Sequence, residues 1–497
     1  MKYSFYSYLA ILLCGLTLTS DLARGQGSLT PPGPPGPTMK TLAQIEPRVP
    51  IASVPFNITA PGAYYLTANL PGTSGRSGIT ISSDNVTLDL AGFAMIGGAG
   101  VEEAIILSGF RKNILVRNGS ISGWLGVDAE SGSNCTWEDL RISDNSGPGL
   151  VAGSYATIRG CTFHGNTGAG ISAGKGSTIT HSVARANQGN GFSVGPASQV
   201  TSSTASHNTA NGFVLAESCV TSECTAANNA ANGFTTGVDN VLDNCAALSN
   251  GVVGINTDKG ATIAKCTARS NLADGIRSVG NSLIKDSTSS FNGQHGFNIG
   301  SASQVSGCDS ANNPGAGFVG GASCRFTSCS ASGNGSHGIT LESDGSVRDC
   351  SASKNSQFGI LAGDDAQIVD SKVYSNGTGL QAGTGSTVRG CSALRNNSDG
   401  IIVSSECTVI QNSSKNNFNA RDAAGIRATS VDNLISENHV VSNDRGISIE
   451  GAGSLVARNS AANNTLSYFF QAIQFAGSII TSTNDPNFNL PWINIQY

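Results

Sequence analysis

The chain of 497 residues carries 63 Gly, and its charged residues make up 12% against 39% hydrophobic ones. That composition excludes a salt-bridged helical protein and favours a turn-rich all-β architecture. The net charge of −5, from 28 basic and 33 acidic residues with no basic run or stripe along the sequence, argues against nucleic acid as a partner.

The N-terminal segment, with Lys2, an apolar stretch over residues 9–18 and then Ala23-Arg24-Gly25, reads as a secretory signal covering residues 1–25. Cys14 follows Leu12-Leu13 instead of a small residue, which favours a cleaved signal over a lipid anchor. Residues 26–60 form a linker and N-terminal segment, in which TPPGPPGP at 30–37 is a stiff polyproline-like spacer. No later segment approaches the roughly 18 apolar residues that cross a bilayer. The expectation is an exported chain, periplasmic, cell-surface or extracellular, whose mature part has no transmembrane segment.

Residues 61–465 read as a solenoid. Gly before Ile, Phe or Leu recurs at Gly149, Gly170, Gly191, Gly212, Gly233, Gly254, Gly275, Gly296, Gly317, Gly338 and Gly359, an unbroken period of 21 residues. The register then shifts to Gly379, Gly400, Gly425 and Gly446. In the same phase stand Asn145, Asn166, Asn187, Asn208, Asn229, Asn250, Asn271, Asn292, Asn313, Asn334, Asn355, Asn376, Asn396 and Asn417. Stacked coils place these amides one above another, each able to donate to the next carbonyl, so the column is a structural ladder. Gly after each ladder Asn is expected to supply the backbone angle of a tight turn, and the next Ile or Phe to point inward, with Phe192, Phe213 and Phe234 stacked.

Ile158, Ile179, Val200, Leu242, Ile263 and Ile284 form a further inward column, and Ala184, Ala205, Ala226, Ala247 and Ala268 a small one. Cys161, Cys224, Cys245, Cys266, Cys308, Cys329, Cys350 and Cys391 share one phase, and Cys135, Cys219, Cys324 and Cys407 another. Both alternate with Ser, Ala or Asn, which points to buried free thiols and not to a metal motif or disulfide spacing. A leucine-rich repeat also has an Asn column, but the several Leu per repeat that it needs are missing. Residues 61–70 are expected to cap one end and residues 466–497, rich in aromatics, the other. About eighteen coils follow from Gly78 onward, a rod of ~80 Å.

The repeat over residues 75–465 resembles the pectin-lyase-like superfamily, in particular the short parallel β-helix repeats of periplasmic copper-maturation proteins and mannuronan epimerases. That resemblance implies a right-handed single-stranded parallel β-helix. Pro61-Gly62-Ala63-Tyr64-Tyr65-Leu66, Arg117-Asn118-Gly119 and Pro491-Trp492 are similar to a group of exported bacterial β-helix proteins, a likeness that brings no activity with it. The enzymes of the superfamily carry motifs that can be sought here. Asn256-Thr257-Asp258 matches the first element of polygalacturonase-like enzymes, but Ser278 and Val279 stand where the Asp pair belongs, and Asp364-Asp365 lies five coils away. The epimerase Asp-Pro-His is met only by Asp485-Pro486-Asn487.

The densest acidic group is Glu342, Asp344, Asp349, Asp364, Asp365 and Asp370. By phase Asp344 lies on Asp365 and Asp349 on Asp370, so paired carboxylates could recruit a cation, or Arg348 could neutralise them. No cofactor is expected beyond weak Ca²⁺ at Asp344 and Asp365. His295 and His337 share the position before Gly, which Asn and Asp fill elsewhere, and read as polar turn residues. With no complete catalytic constellation, the expected role is structural, adhesive or weakly polysaccharide-binding, with a polysaccharide or cell-surface component as partner. A polysaccharide lyase, hydrolase or epimerase is the alternative.

Overall fold

The computed structural model describes residues 42–418, 421–481 and 490–497. The signal segment, Cys14, the spacer at 30–37 and Asp485-Pro486-Asn487 lie outside the described residues. A short helix, Leu42–Ile45, belongs to a small unit that ends at Pro47, and a second unit runs from Arg48 to Tyr497.

The second unit is a parallel β-solenoid of about 20 turns with ~21 residues per turn. One coil shows the plan. Strand Phe192–Val194 lies on the first face, Gln199–Thr201 on the second and Thr204–Ser206 on the third, before the chain reaches Phe213 one rung on. Each three-residue strand has time for one alternation, so Phe192 and Val194 point inward on the first face, and Val200 and Ala205 are the single inward residues of the other two. The register is strict and parallel: Phe192 pairs with Phe213, Val200 with Thr221 and Ala205 with Ala226. Phe192, Phe213 and Phe234 stack at centroid distances of 4.7 and 4.8 Å, as their phase requires.

Three corners close each coil, and each uses a left-handed residue. In this coil they are Ala197, Ser202 and His207, with φ of 54°, 48° and 56°, a conformation uncommon outside Gly. The residue after each turns inward and caps an N–H of the preceding rung. Ser198 Oγ accepts from Ser177 N at 3.0 Å, Ser203 Oγ from Ser182 N at 3.2 Å, and Asn208 Oδ1 from Asn187 N at 3.1 Å. The Asn ladder is therefore one of three polar stacks. Its amides also bond each other, as in Asn229 Nδ2 to Asn250 Oδ1 and Asn250 Nδ2 to Asn271 Oδ1, both 3.0 Å. The twelve Cys among the described residues fill the same seats at the first and second corners, all free and buried.

The geometry corrects three expectations. Gly after the ladder Asn does not supply a turn angle, because the left-handed positions are the corner residues and none of Gly149, Gly170 or Gly191 is among them. It is there for room. A Cβ on Gly191 would lie 2.7 Å from the Gly212 carbonyl oxygen, 2.8 Å from Ala205 Cβ and 2.9 Å from Asn208 Nδ2. Secondly, the solenoid starts at Val49 instead of residue 61, since Val49–Ile51 pairs with Gly62–Leu66 and Phe56–Ile58 with Ile79–Ile81. Residues 61–70 thus contribute rungs, not a cap. Thirdly, the ladder continues past Asn417 to Asn443 and Asn464. A second Asn stack, Asn412 to Asn438 to Asn459 to Asn494, takes over the second corner near the C-terminus.

Candidate functional site

Outward residues on the second face come from two columns per strand. Over three rungs the first column is Arg325, Ser346 and Gln367, and the second is Thr327, Arg348 and Val369. Together with Asp344 and Asp365 they line a cleft of about 340 Å³. Arg325 and Arg348 stand diagonally across it on neighbouring rungs. Neither side chain has an ion-pair or hydrogen-bond partner among the described residues.

The six acidic residues of this region divide by seat. Asp344 and Asp365, φ 58° and 54°, are the left-handed residues of successive first corners, and Asp349 and Asp370, both φ 51°, those of successive second corners. Asp is among the few non-Gly residues that enter this region readily, which accounts for acids here without any ligand. Glu342 and Asp364 are engaged with backbone: Glu342 Oε2 accepts from Ala322 N at 3.1 Å, and Asp364 Oδ1 from Thr384 N at 2.8 Å. The phase pairing of Asp344 with Asp365 is as read from the sequence, and both reach the cleft. Asp349 and Asp370 belong to the opposite edge of the second face. Among the described residues no three His, Cys, Asp or Glu side chains form a group that could hold a metal ion.

His295 and His337 do what Asn does in the same column. Asn190 Oδ1 accepts from Asn211 N at 3.0 Å, Asp274 Oδ1 from His295 N at 3.0 Å, and His295 Nδ1 from Ala316 N at 3.0 Å. His337 Nδ1 accepts from Phe358 N at 3.4 Å. Accepting at Nδ1 places the proton of the neutral ring on Nε2. Burial, and secondly the charge of His295, hold the His337 pKa below its ordinary value. Three of the thiols are equally quiet: burial pushes Cys161 and Cys391 up to about 11 and Cys224 to about 12, far from the thiolate that reactive cysteines need, whereas hydrogen bonds with Cys245, and with Cys308 and Cys350, shift Cys266 and Cys329 the other way. Asn256 and Thr257 lie on a regular first-face strand, Ile255–Thr257, with Thr257 buried.

The family described as "Right handed beta helix region" matches residues 73–203, 103–250 and 250–393. The chain belongs to that family. The resemblance to the pectin-lyase-like superfamily thus holds at the level of fold. The family described as "Periplasmic copper-binding protein (NosD)" matches residues 336–483 of this β-helix chain. Solved structures similar to it include the Azotobacter vinelandii mannuronan C-5 epimerase AlgE4 A-module, at 16% identity over 71% of this chain and 86% of the other, with a TM-score of 0.26. Pectate lyase Pel9A is 14% identical over 59% of this chain and 70% of its own, with a TM-score of 0.28. The catalytic unit of the GH87 α-1,3-glucanase from Streptomyces thermodiastaticus strain HF3-3 is 14% identical over 74% and 64%, with a TM-score of 0.29. Among curated proteins none matches. No helix among the described residues is long and apolar enough to cross a membrane.

Proposed function

We propose that this is an exported, noncatalytic β-helix that contacts polysaccharide through the second-face cleft. The observation that carries this reading is the cleft itself, where two unpaired guanidiniums, an amide and two carboxylates face solvent over three rungs. Fixed donors beside acceptors suit the hydroxyls of a sugar, since planar guanidinium and carboxylate groups each hold two hydrogen bonds. Export is supported by the N-terminal residues and by the periplasmic family that matches at 336–483.

The arrangement of carboxylates argues against glycosidic cleavage. Asp344 and Asp365 occupy one corner column and so lie on one side of the cleft. Five residues of largely extended chain separate Asp344 from Asp349 at the other edge, roughly 15 Å, whereas paired glycosidase carboxylates stand about 5 to 9.5 Å apart. Ca²⁺ at Asp344 and Asp365 would be an accessory of this site, bound in the ~10⁻⁴ to 10⁻³ M range of extracellular modules. Calorimetric titration of the chain against an Asp344→Asn, Asp365→Asn double variant tests it.

The main experiment incubates the protein with a panel of neutral and uronic-acid glycans and follows both binding and product release. Binding without release, weakened about tenfold in an Arg325→Gln, Arg348→Gln variant of unchanged thermal midpoint, is the expected result. Stoichiometric release of shortened, unsaturated or epimerised sugar would establish the enzymatic alternative instead.

A further inference from the structure

The third face carries a feature that the linear sequence hides. On four successive rungs it presents one cation each: Lys354, Lys372, Arg395 and Lys415, all exposed. Strand pairing fixes their order. Ser351 pairs with Lys372, Lys372 with Ser392 and Ser392 with Ser413, while Ser353, Tyr374, Leu394 and Lys415 form the adjacent outward column. Lys354 and Arg395 are left-handed residues of the third corner, φ 54° for both, and so edge the same face. Tyr374, Ser375, Leu394, Arg395, Lys415 and Asn416 enclose a second cleft, of about 330 Å³.

Three observations set this stripe apart from ordinary surface lysines. It is continuous, since third corners from Ala186 through His207, Asn228, Ser249, Ser270, Phe291 and Asn312 contain no cation, and the outward Arg185 and Arg269 of earlier third-face strands stand four rungs apart. Its four side chains have no ion-pair or hydrogen-bond partner among the described residues, and no carboxylate stands in either outward column between Ser351 and Lys415. Asp349 and Asp370, at the second corner, mark its far edge. Finally, it surrounds a partly apolar floor, with Tyr374 39% exposed and Leu394 half-buried beside it. An exposed tyrosine ring offers a flat apolar face with a polar edge.

We propose that this stripe is a binding track for a linear acidic polysaccharide that carries one carboxylate or sulfate per sugar. The rungs repeat every ~4.8 Å, and a glycosidically linked chain advances by a similar step per ring, so successive charges meet successive cations while one ring rests on Tyr374. Duplex nucleic acid fits poorly, because it packs a charge every ~1.7 Å of axis and the chain as a whole is acidic, with a net charge of −5. The track is separate from the second-face cleft, whose balanced Arg and Asp lining favours hydroxyls over net charge. Neither site depends on the other.

The test is titration of the full chain with oligogalacturonates of two, four and six sugars at low and moderate salt. Affinity is expected to climb from two to four sugars and to level off at six, because four rungs carry cations, and to weaken as salt is raised. Lys372→Gln with Lys415→Gln is expected to lower the affinity of the four-sugar probe about fivefold or more, as is Lys354→Gln with Arg395→Gln, with thermal midpoints unchanged. Arg325→Gln with Arg348→Gln is expected to leave it within about twofold, which separates this track from the cleft proposed above. Unaltered affinity in both stripe variants would overturn the assignment, as would its loss in the Arg325, Arg348 variant alone. Tighter binding of single-stranded DNA of equal charge would overturn the choice of polysaccharide.

Discussion

The first coils and the body of the solenoid share one fold but keep it by different means. In the first coils Phe56, Ile79, Ile105, Val127 and Leu150 stack in turn, yet the number of residues per coil changes at every step. From Leu150 to Ile360 every step is identical, as the ladder bonds spaced by 21 residues record. The early core is filled by Trp124, Trp137 and Met95, all fully buried, and the indole Nε1 atoms have no hydrogen-bond partner. Its Asn stack, Asn85 to Asn113 to Asn134, lies on the surface. Apolar contact tolerates sliding and extra loop residues, whereas a buried amide pair does not, because an unmade bond costs more than a made one contributes. The polar stacks therefore set the coil length. After Asn417 the chain gains residues, but Asn417 still bonds Asn443 across 26 positions at 3.0 Å, so the stack stays intact across the longer coil.

The strongest way to break this comparison is to remove one amide from the body. Asn250 receives bonds from Asn229 N and Nδ2 and gives Nδ2 to Asn271 Oδ1 and the Ala226 carbonyl. Asn250→Ala should cost about 3 kcal/mol, while Thr225→Ala, on an outward column of the third face, should stay within about 0.5 kcal/mol. Chemical denaturation of both variants decides it, and equal losses would contradict the ladder's role.

A smaller effect sharpens the account of glycine. Gly212→Ala meets the Gly233 carbonyl at 2.6 Å and Asn229 Nδ2 at 2.8 Å, and overpacking of this kind should cost about 1 to 3 kcal/mol. Gly333, with φ 65°, sits in a corner where Asn312 occupies the preceding rung with its own left-handed φ of 55°; a Cβ there would meet only the exposed Asn312 Oδ1, at 2.8 Å, which can rotate away, so Gly333→Asn should cost less than about 1 kcal/mol. If thermal melts ranked the two the other way, backbone angle and not space would govern the ladder glycines.

The smallest expected effect is a pH dependence. Only the neutral His337 ring can accept from Phe358 N, and its pKa lies below the ordinary value of 6.5. Its contribution is complete above that value and is lost as pH falls through the lower folded pKa. Thermal midpoints should decline on acidification between about pH 7 and 5, and His337→Asn, which keeps an acceptor that does not titrate, should remove that part of the decline.

Most of this fold could be read before any coordinates, because a solenoid writes its contacts at one fixed separation. The ladder from Asn145 to Asn417, the Phe stack and the free, buried Cys columns followed from phase alone. Asn443 and Asn464 were missed where the period slipped, although Asn443 precedes Gly446 much as Asn376 precedes Gly379. The left-handed corners escaped notice because Ala, Ser, His, Asp and Phe all occupy them, leaving no compositional mark. The second-face acids were legible as columns, but their division between corner seats and backbone caps depends on side-chain geometry. The third-face cations were invisible for another reason: they alternate between columns, so neither a run nor a strict period reveals them.

The inner ladder also has a direction. From Asn145 to Asn464 each amide donates toward the later rung and accepts from the earlier one. The amide dipoles of the row consequently point one way along the solenoid axis. Aligned bonds polarise one another in a poorly screening interior, so the row acts electrically as one object, with a carbonyl end near Trp124 and an amino end near Val440. A single substitution in its middle would divide that long dipole into two shorter ones and be felt by amides several rungs away.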